Sequence, residues 1–501
     1  MALDRDMSGG EVPLRRLVGK GAAWSTLDVA LGRFGQFVQG IVVARIVAPR
    51  EFGVFAVALV VHAVLINISE LGVSVPLIRD DPRNTPLSAP TIATISLTNS
   101  VVLAIAMAAL SPVLAAALGS PRAAGPIAVM ALTLPLAGLT AVPSAILKRD
   151  FRMDRIFVAN FANMLTSGLI VVLLALSGWG ALALAWSWVA GQLVMTVILL
   201  SYRTGRYWPG WRRSEARRLL AFGIPLAGGS LLSFLVLNVD YVVVGRLLGA
   251  EALGLYVLAF NISGWPLNVF GAVVRSVSLP GFSRLRRGGE AMPEHFLRAL
   301  RFVAGVTMPI CFILGALAGP MVIVLYGRRW SEAASALVGL SVLGAARILL
   351  ELSGDYLVAV GRNRALIATQ LPWLVVLASV LVLVAPTDGI GGVGTAQALV
   401  AVAFVGPIYA VLLRRVGVGV RAAVRALSAP TLWALLAAAV AYAVSTAIGQ
   451  PVVACAAGGI AGLAVAALPF APALVRHSSS MARARWAVPE PPSGSVQLTA
   501  D

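Results

Sequence analysis

Arg347, Glu351 and Asp355 stand in one apolar run, spaced i, i+4 and i+8. That spacing puts all three on one face of a helix. Two chemistries are open: an internal Arg347–Glu351 ion pair, or a polar track for ions. Asp355 is available for such a role under either. Other apolar runs hold isolated charges as well: Asp28 and Arg33, then Glu70, Asp240 and Arg275. A charge deep in hydrocarbon costs about 2.5–3.5 kcal/mol on insertion scales, so it usually faces a cavity or a partner. Arg33 and Arg275 have no acid at helical-neighbour spacing and are the leading candidates for an anion site. The planar guanidinium fork offers several donors to a phosphate. Arg347, Gln36 and Gln39 complete the candidate substrate-binding set. The carboxylates Asp28, Glu70, Asp240, Glu351 and Asp355 form a candidate relay for H+ or Na+. Asp240 lies near the end of its run and is expected to face water. Ser25, Asp28, Gln36 and Gln39 can share one broad helical face. Such a face suits an aqueous cavity or hydrogen bonds between helices.

Composition names the elements that must position these groups. The chain has 501 residues, 59% hydrophobic and 12% charged, with a mean hydropathy of +0.90. A soluble domain is roughly a quarter charged. The expected class is an all-α polytopic membrane protein, because helices satisfy their own backbone groups in lipid. Long continuous apolar runs, in place of short alternating ones, argue against a transmembrane barrel. The net charge of +18 falls in short pieces between apolar runs, a positive-inside pattern and not a nucleic-acid surface. Cys311 and Cys455 both lie in apolar runs and suggest neither a disulfide framework nor a metal site. No G-x-x-x-x-G-K-[ST] sequence occurs, which disfavours ATP-driven transport. The amino terminus lacks a cleavable signal layout, so the first span is expected to be an uncleaved anchor.

Segments of about 20 apolar residues can cross a bilayer. Fourteen such spans are predicted. They divide the chain into a cytoplasmic segment (1–21), an N-lobe of six spans (22–200) and a basic cytoplasmic linker (201–218). A C-lobe of six spans (219–413), two further spans (424–472) and a disordered cytoplasmic tail (473–501) follow. Overlong runs such as 88–118 and 300–326 are expected to tilt or to extend beyond the membrane. Pro225 and Pro266 suggest kinks. With the amino terminus in the cytoplasm, only Arg50, Arg122, Arg328 and Arg329 fall in outer loops. Arg33, Arg45, Arg246, Arg275 and Arg347 lie in or at the ends of spans, and every other Lys and Arg is cytoplasmic. Both termini are therefore expected in the cytoplasm.

The chain also repeats itself. VVARIVAPREFGVFAVA (42–58) aligns without a gap on VVGRLLGAEALGLYVLA (243–259). Arg45 falls on Arg246, Gly53 on Gly254 and Ala58 on Ala259. Six spans separate the two hairpins, so both copies run the same way through the membrane. Parallel repeats of this kind place a transport site between two lobes that rock against each other. The matched Arg and Gly residues are expected to be architectural: headgroup contacts and close helix packing.

These segments, with ISELGVSVPLIR, AVPSAILKRDFRMDR and SLPGFSRL, resemble the Wzx-type oligosaccharide flippases and polysaccharide exporters. The resemblance covers most of residues 15–415 and implies the multidrug/oligosaccharidyl-lipid/polysaccharide exporter superfamily. It implies two six-helix lobes around a V-shaped cavity, plus two C-terminal helices, in a bacterial inner membrane. The implied act moves an isoprenoid-diphosphate-linked oligosaccharide from the cytoplasmic to the outer leaflet. The implied partners are that lipid-linked oligosaccharide, membrane lipids and polysaccharide polymerase or ligase machinery. Arg33 and Arg275 occupy regions comparable to the cavity arginines of related lipid II flippases, although no strict motif carries the role across. A lipid II flippase and an ion-coupled small-molecule exporter of the same superfamily remain alternatives. A membrane glycan polymerase or ligase fits less well, because the outer loops are short. The chain is read as a transporter and not as an enzyme, with no cofactor beyond H+ or Na+ coupling.

Overall fold

The computed structural model describes residues 14–70, 72–79, 85–202, 209–288 and 292–470. The tail read at 473–501 and most of the segment read at 1–21 lie outside the described residues. Seventeen α-helices follow one another, with no strand among the described residues. Eleven stretches are long and apolar enough to cross a membrane. Two of them run for 56 residues (Arg213–Asn268) and 51 residues (Arg364–Arg414). Each contains a break in helical geometry, at Gly249 (φ 87°) and Gly389 (φ 58°).

The opening hairpin is α1 (Leu14–Ile46) and α2 (Pro49–Glu70), followed by the short α3 (Val75–Arg79). Its repeat lies in α10 (Arg213–Gly288), whose two arms meet at Gly249. Helical geometry continues through Pro225 and Pro266; Gly249 alone departs from it.

The run predicted at 88–118 is not one tilted helix. α4 (Thr85–Ala109) stops at Leu110, and the short α5 (Ser111–Ala117) follows. The run at 300–326 breaks likewise, into α11 (Met292–Ala316) and α12 (Ala318–Tyr326). Pro112 and Pro320 stand just beyond the two breaks. Proline has no N–H for the carbonyl four residues back, and its ring crowds that carbonyl, so the preceding helix ends. α5 and α12 then lead to glycines with positive φ, Gly119 (77°) and Gly327 (96°). A 3-10 turn follows each, Pro121–Ala123 and Arg328–Trp330. Proline, glycine and turn thus recur in order, and the repeat extends well past the opening hairpin.

Between these pairs the first half holds α6 (Ala124–Ala131), α7 (Thr133–Arg149), α8 (Met153–Leu176) and α9 (Ala181–Ser201). The second half continues with α13 (Ala333–Ala359), α14 (Asn363–Leu399), a π-helical turn at Val400–Val405 and α15 (Gly406–Arg414). The final pair, α16 (Val420–Thr446) and α17 (Pro451–Ala467), packs beside α11, with Ala437 and Ala441 against Ile313 and Leu317. The largest buried cluster joins both halves. It takes Val54–Ala58 from α2, Leu255–Ala259 from α10, and Trp330, Leu337 and Leu340.

Candidate functional site

The two copies of the hairpin meet at their glycines. A Cβ on Gly53 would strike the Ala250 carbonyl, and one on Gly254 would strike the Pro49 carbonyl. The contact is reciprocal, backbone against backbone, and only a missing side chain permits it. Arg45 and Arg246 flank this crossing and reach across it in opposite directions. Arg45 donates to the Leu325 carbonyl (Nε, 3.0 Å) and the Val324 carbonyl (Nη2, 2.5 Å) in the last turn of α12. Arg246 donates from Nη1 to the Ala117 carbonyl, 2.7 Å away, at the end of α5. Last-turn carbonyls have no partner within the helix, and a cation there also meets the negative end of the helix dipole. Trp330 Nε1 donates to the Ala44 carbonyl at 2.8 Å, and Arg329 donates to the Arg45 carbonyl. Each half therefore clasps the short helix of the other.

The opposite stretch of the same helices is open. Phe37 meets Trp265 edge to face, with ring centroids 4.6 Å apart. Nearer the start of α1, Arg33, Phe34 and Gln36 are exposed, and Gln39 is half-buried. A Cβ added at Gly32, Gly228 or Gly229 would meet no described atom of another element within 4 Å. Arg33 makes no hydrogen bond or ion pair among the described residues. Asp28 is half-buried and accepts a hydrogen bond from Asn160 Nδ2 on α8 at 2.9 Å.

Asp240 does not face water. It is fully buried on the first arm of α10, where Tyr256 Oη donates to its Oδ2 at 2.8 Å. The expectation of solvent exposure is wrong because the second arm folds back at Gly249 and lays Tyr256 across it. Its other oxygen, Oδ1, has no partner in direct hydrogen-bond geometry among the described residues, although the Gln397 amide and the Tyr241 N–H are oriented toward the carboxylate. Gln397 and Arg347 lie beside the carboxylate. A cavity of about 20 Å³ opens among Arg347, Gln397, Phe260 and Trp373, enough for one water. Arg347 stands over the Phe260 ring, 5.7 Å from its centroid, with Glu351 one turn along as a charge neighbour. Asp355 accepts a hydrogen bond from the Ser278 hydroxyl.

The structure thus gathers Asp240, Arg347 and Glu351 into one cluster and leaves Arg33, Gln36 and Gln39 on another surface. Glu70 and Arg275 contribute backbone to α2 and α10, but their side chains lie outside the described residues. Tyr256, Gln397, Asn160 and Ser278 are partners that sequence reading missed. The repeat offset carries a signal for the first of them: Asp240 falls on Gln39, and Tyr256 on Phe55. The acid and its hydroxyl partner thus depart from the repeat together. Buried His62 was missed too. Its Nε2 lies 2.7 Å from Thr133 Oγ1, whose own proton goes to the Met130 carbonyl. The imidazole therefore donates, and it ties α2 to α7.

Residues 42–335, which include both copies of the repeated 17-residue motif and the whole clasp, match a family described as "Polysaccharide biosynthesis protein". The chain belongs to this family. Among curated relatives, it is 29% identical over 325 residues to the succinoglycan biosynthesis transport protein ExoT of Rhizobium meliloti (strain 1021). That match spans 64% of each chain, a little under two thirds of the ExoT length. It is 25% identical to the lipopolysaccharide biosynthesis protein WzxC of Escherichia coli (strain K12), over 70% of this chain and 71% of WzxC. In fold it is similar to the lipid II flippase MurJ in an inward closed conformation, with TM-score 0.73 and 14% identity. That likeness covers 91% of this chain and 99% of MurJ. An inward-facing multidrug resistance transporter of the MATE family aligns with TM-score 0.60 and 15% identity, over 81% and 94% of the two chains.

Proposed function

We propose that this family member is a flippase for an isoprenoid-diphosphate-linked oligosaccharide, moving the polar head from the cytoplasmic to the outer leaflet by alternating access. The observation that carries the reading is the contrast between the two ends of the opening hairpin, clasped at Arg45 and the Gly53–Gly254 crossing and open around Arg33. We read the clasp as the outer end, in line with the positive-inside bias, so both termini are cytoplasmic. A sugar diphosphate cannot cross lipid unaided, because its charges and hydroxyls would lose water. A cationic cavity between two lobes lowers that cost, while the isoprenoid stays in the bilayer.

The fourteen-span reading is supported by the breaks at Gly249 and Gly389. Each lies in a stretch more than twice the ~20 residues one crossing needs, and α17 supplies a further short apolar helix. Arg33, Gln36, Gln39 and Arg275 are assigned to the diphosphate and sugars. Arg347 is assigned to the charge cluster around Asp240 and Glu351, with Asp28, Glu70 and Asp355 as further ion-coupling candidates. The coupling ion is H+ or Na+, and glycan polymerase or ligase enzymes would consume the product.

The test is to delete the gene, extract lipid-linked oligosaccharides and find their leaflet with a membrane-impermeant glycan label. Accumulation on the cytoplasmic side, reversed by the intact gene, is expected. Unchanged sidedness with redundant flippases removed would overturn the proposal and favour small-molecule export.

A further inference from the structure

The start of α10 is a helix with two unlike faces. Ala216 and Leu219 are buried among Val73, Ile92, Val142 and Ile146 of the first half. The segment before it is pinned as well. Thr94 Oγ1 donates to the Gly210 carbonyl at 2.9 Å, and the Arg212 N–H donates to Thr91 Oγ1 at 3.3 Å. This end of the helix is held against α4 and presents a fixed outer face. That face carries Arg213, Arg217, Ala221 and Ile224, spaced i, i+4, i+8 and i+11 along one stripe, with half-buried Leu220 at its edge against the inner cluster. With Trp211 they line an open cleft of about 920 Å³.

The stripe changes character along its length. Arg213 and Arg217 are exposed and make no ion pair among the described residues. The acid nearby, Glu215, pairs instead with Arg218 at 2.9 Å, off the stripe. Beyond the two arginines the face is apolar, and Ile224 is 58% exposed among the described residues. From Arg213 to Ile224 the helix rises about 16 Å at ~1.5 Å per residue. Two guanidinium groups one turn apart suit two linked phosphates, since Arg forks bind phosphate oxygens in pairs. The apolar stretch below suits the first units of a hydrocarbon chain.

We propose that this stripe is a loading site. It receives the diphosphate and first isoprene units of the lipid carrier at the inner surface before the head reaches Arg33. The proposal rests on the flippase reading, and it names residues that reading does not use. A phospholipid offers one phosphate and two chains, so an isoprenoid diphosphate, with two phosphates on one chain, is the better match.

The test uses the full chain in phosphatidylcholine nanodiscs and equilibrium binding of radiolabelled farnesyl diphosphate. Farnesol and phosphatidylglycerol serve as separate competitors. The double variant Arg213→Gln/Arg217→Gln is expected to bind about a hundred-fold more weakly, about ten-fold for the charge-assisted contact of each guanidinium. Arg213→Lys/Arg217→Lys should fall between it and the parent, Ile224→Gln should weaken binding, and Arg218→Gln should not. Neither competitor should displace the probe well. Unchanged affinity in the Gln variant would overturn the loading site and leave the flippase reading standing. Displacement by phosphatidylglycerol as strong as by unlabelled farnesyl diphosphate would also overturn it, marking a general anionic-lipid contact. Failure of the parent protein to bind the probe would count against both.

Discussion

Asp240 is the residue whose surroundings ask most of the fold. A fully buried carboxylate is expensive to keep charged, and the Tyr256 hydroxyl is its one close side-chain donor among the described residues. Removing that donor with Tyr256→Phe is expected to lower stability by about 1.5–3 kcal/mol, the range for hydrogen bonds to charged groups. Thermal unfolding of the purified protein reads this directly. In an Asp240→Asn background the same change should cost less, because a neutral amide gains less from the phenol; equal costs would show that the pair is not coupled. If Asp240 couples an ion to transport, Asp240→Asn should also abolish the response of flipping to an imposed H+ or Na+ gradient while substrate still binds. Arg33 sits on the other surface and has a separate test. Arg33→Ala should lose glycan export at normal membrane abundance, with Arg33→Lys partly active, since Lys keeps the charge but not the fork. Full export by the Ala variant would remove Arg33 from the diphosphate site. The spacing of Arg347, Glu351 and Asp355 was legible in the sequence because it depends on one helix. The burial of Asp240 was not, since it depends on a second helix folding back over the first.

Gly53 and Gly254 carry the argument at the scale of elements. Any Cβ there meets a backbone carbonyl and not a flexible side chain, so the helices must separate. Gly53→Ala and Gly254→Ala are each expected to lower the unfolding temperature and the folded yield. Because the two contacts share one crossing, the double variant should cost less than the sum of the singles. Strict additivity in thermal unfolding would mean that the crossing does not move as a unit. The repeat that predicted these glycines was legible because an Arg and a Gly in register across a shared turn seldom coincide by chance in apolar sequence. The breaks after Ala109 and Ala316 were not read, since hydropathy is blind to them. Yet Pro112 and Pro320 mark both, by the rule that proline ends the helix before it.

For the whole molecule, alternating access turns the clasp into an energetic question. The outer end must part for the head to leave, so every bond across it favours the inward-facing state. Arg45 and Arg246 lie at exposed positions. The carbonyl contacts of each arginine, taken together, are therefore assigned about 1 kcal/mol, the modest net value of a hydrogen bond partly satisfied by water. Together that is about 2 kcal/mol, or roughly 30-fold in the ratio of inward to outward states. Arg45→Ala/Arg246→Ala should therefore populate the outward state without unfolding the protein. Val47, only 4% exposed in the clasped state, can report on it. In a background with Cys311 and Cys455 replaced, Val47→Cys should react slowly with a membrane-impermeant thiol reagent and much faster once both arginines are gone. Each single variant should fall between, because the two arginines act on opposite halves of one interface. A ligand shifts such an equilibrium only by its differential affinity for the two states. Substrate loaded from the inner side should therefore slow the labelling in the double variant. Labelling that ignores both arginines would mean that the Gly53–Gly254 crossing alone holds the outer end shut.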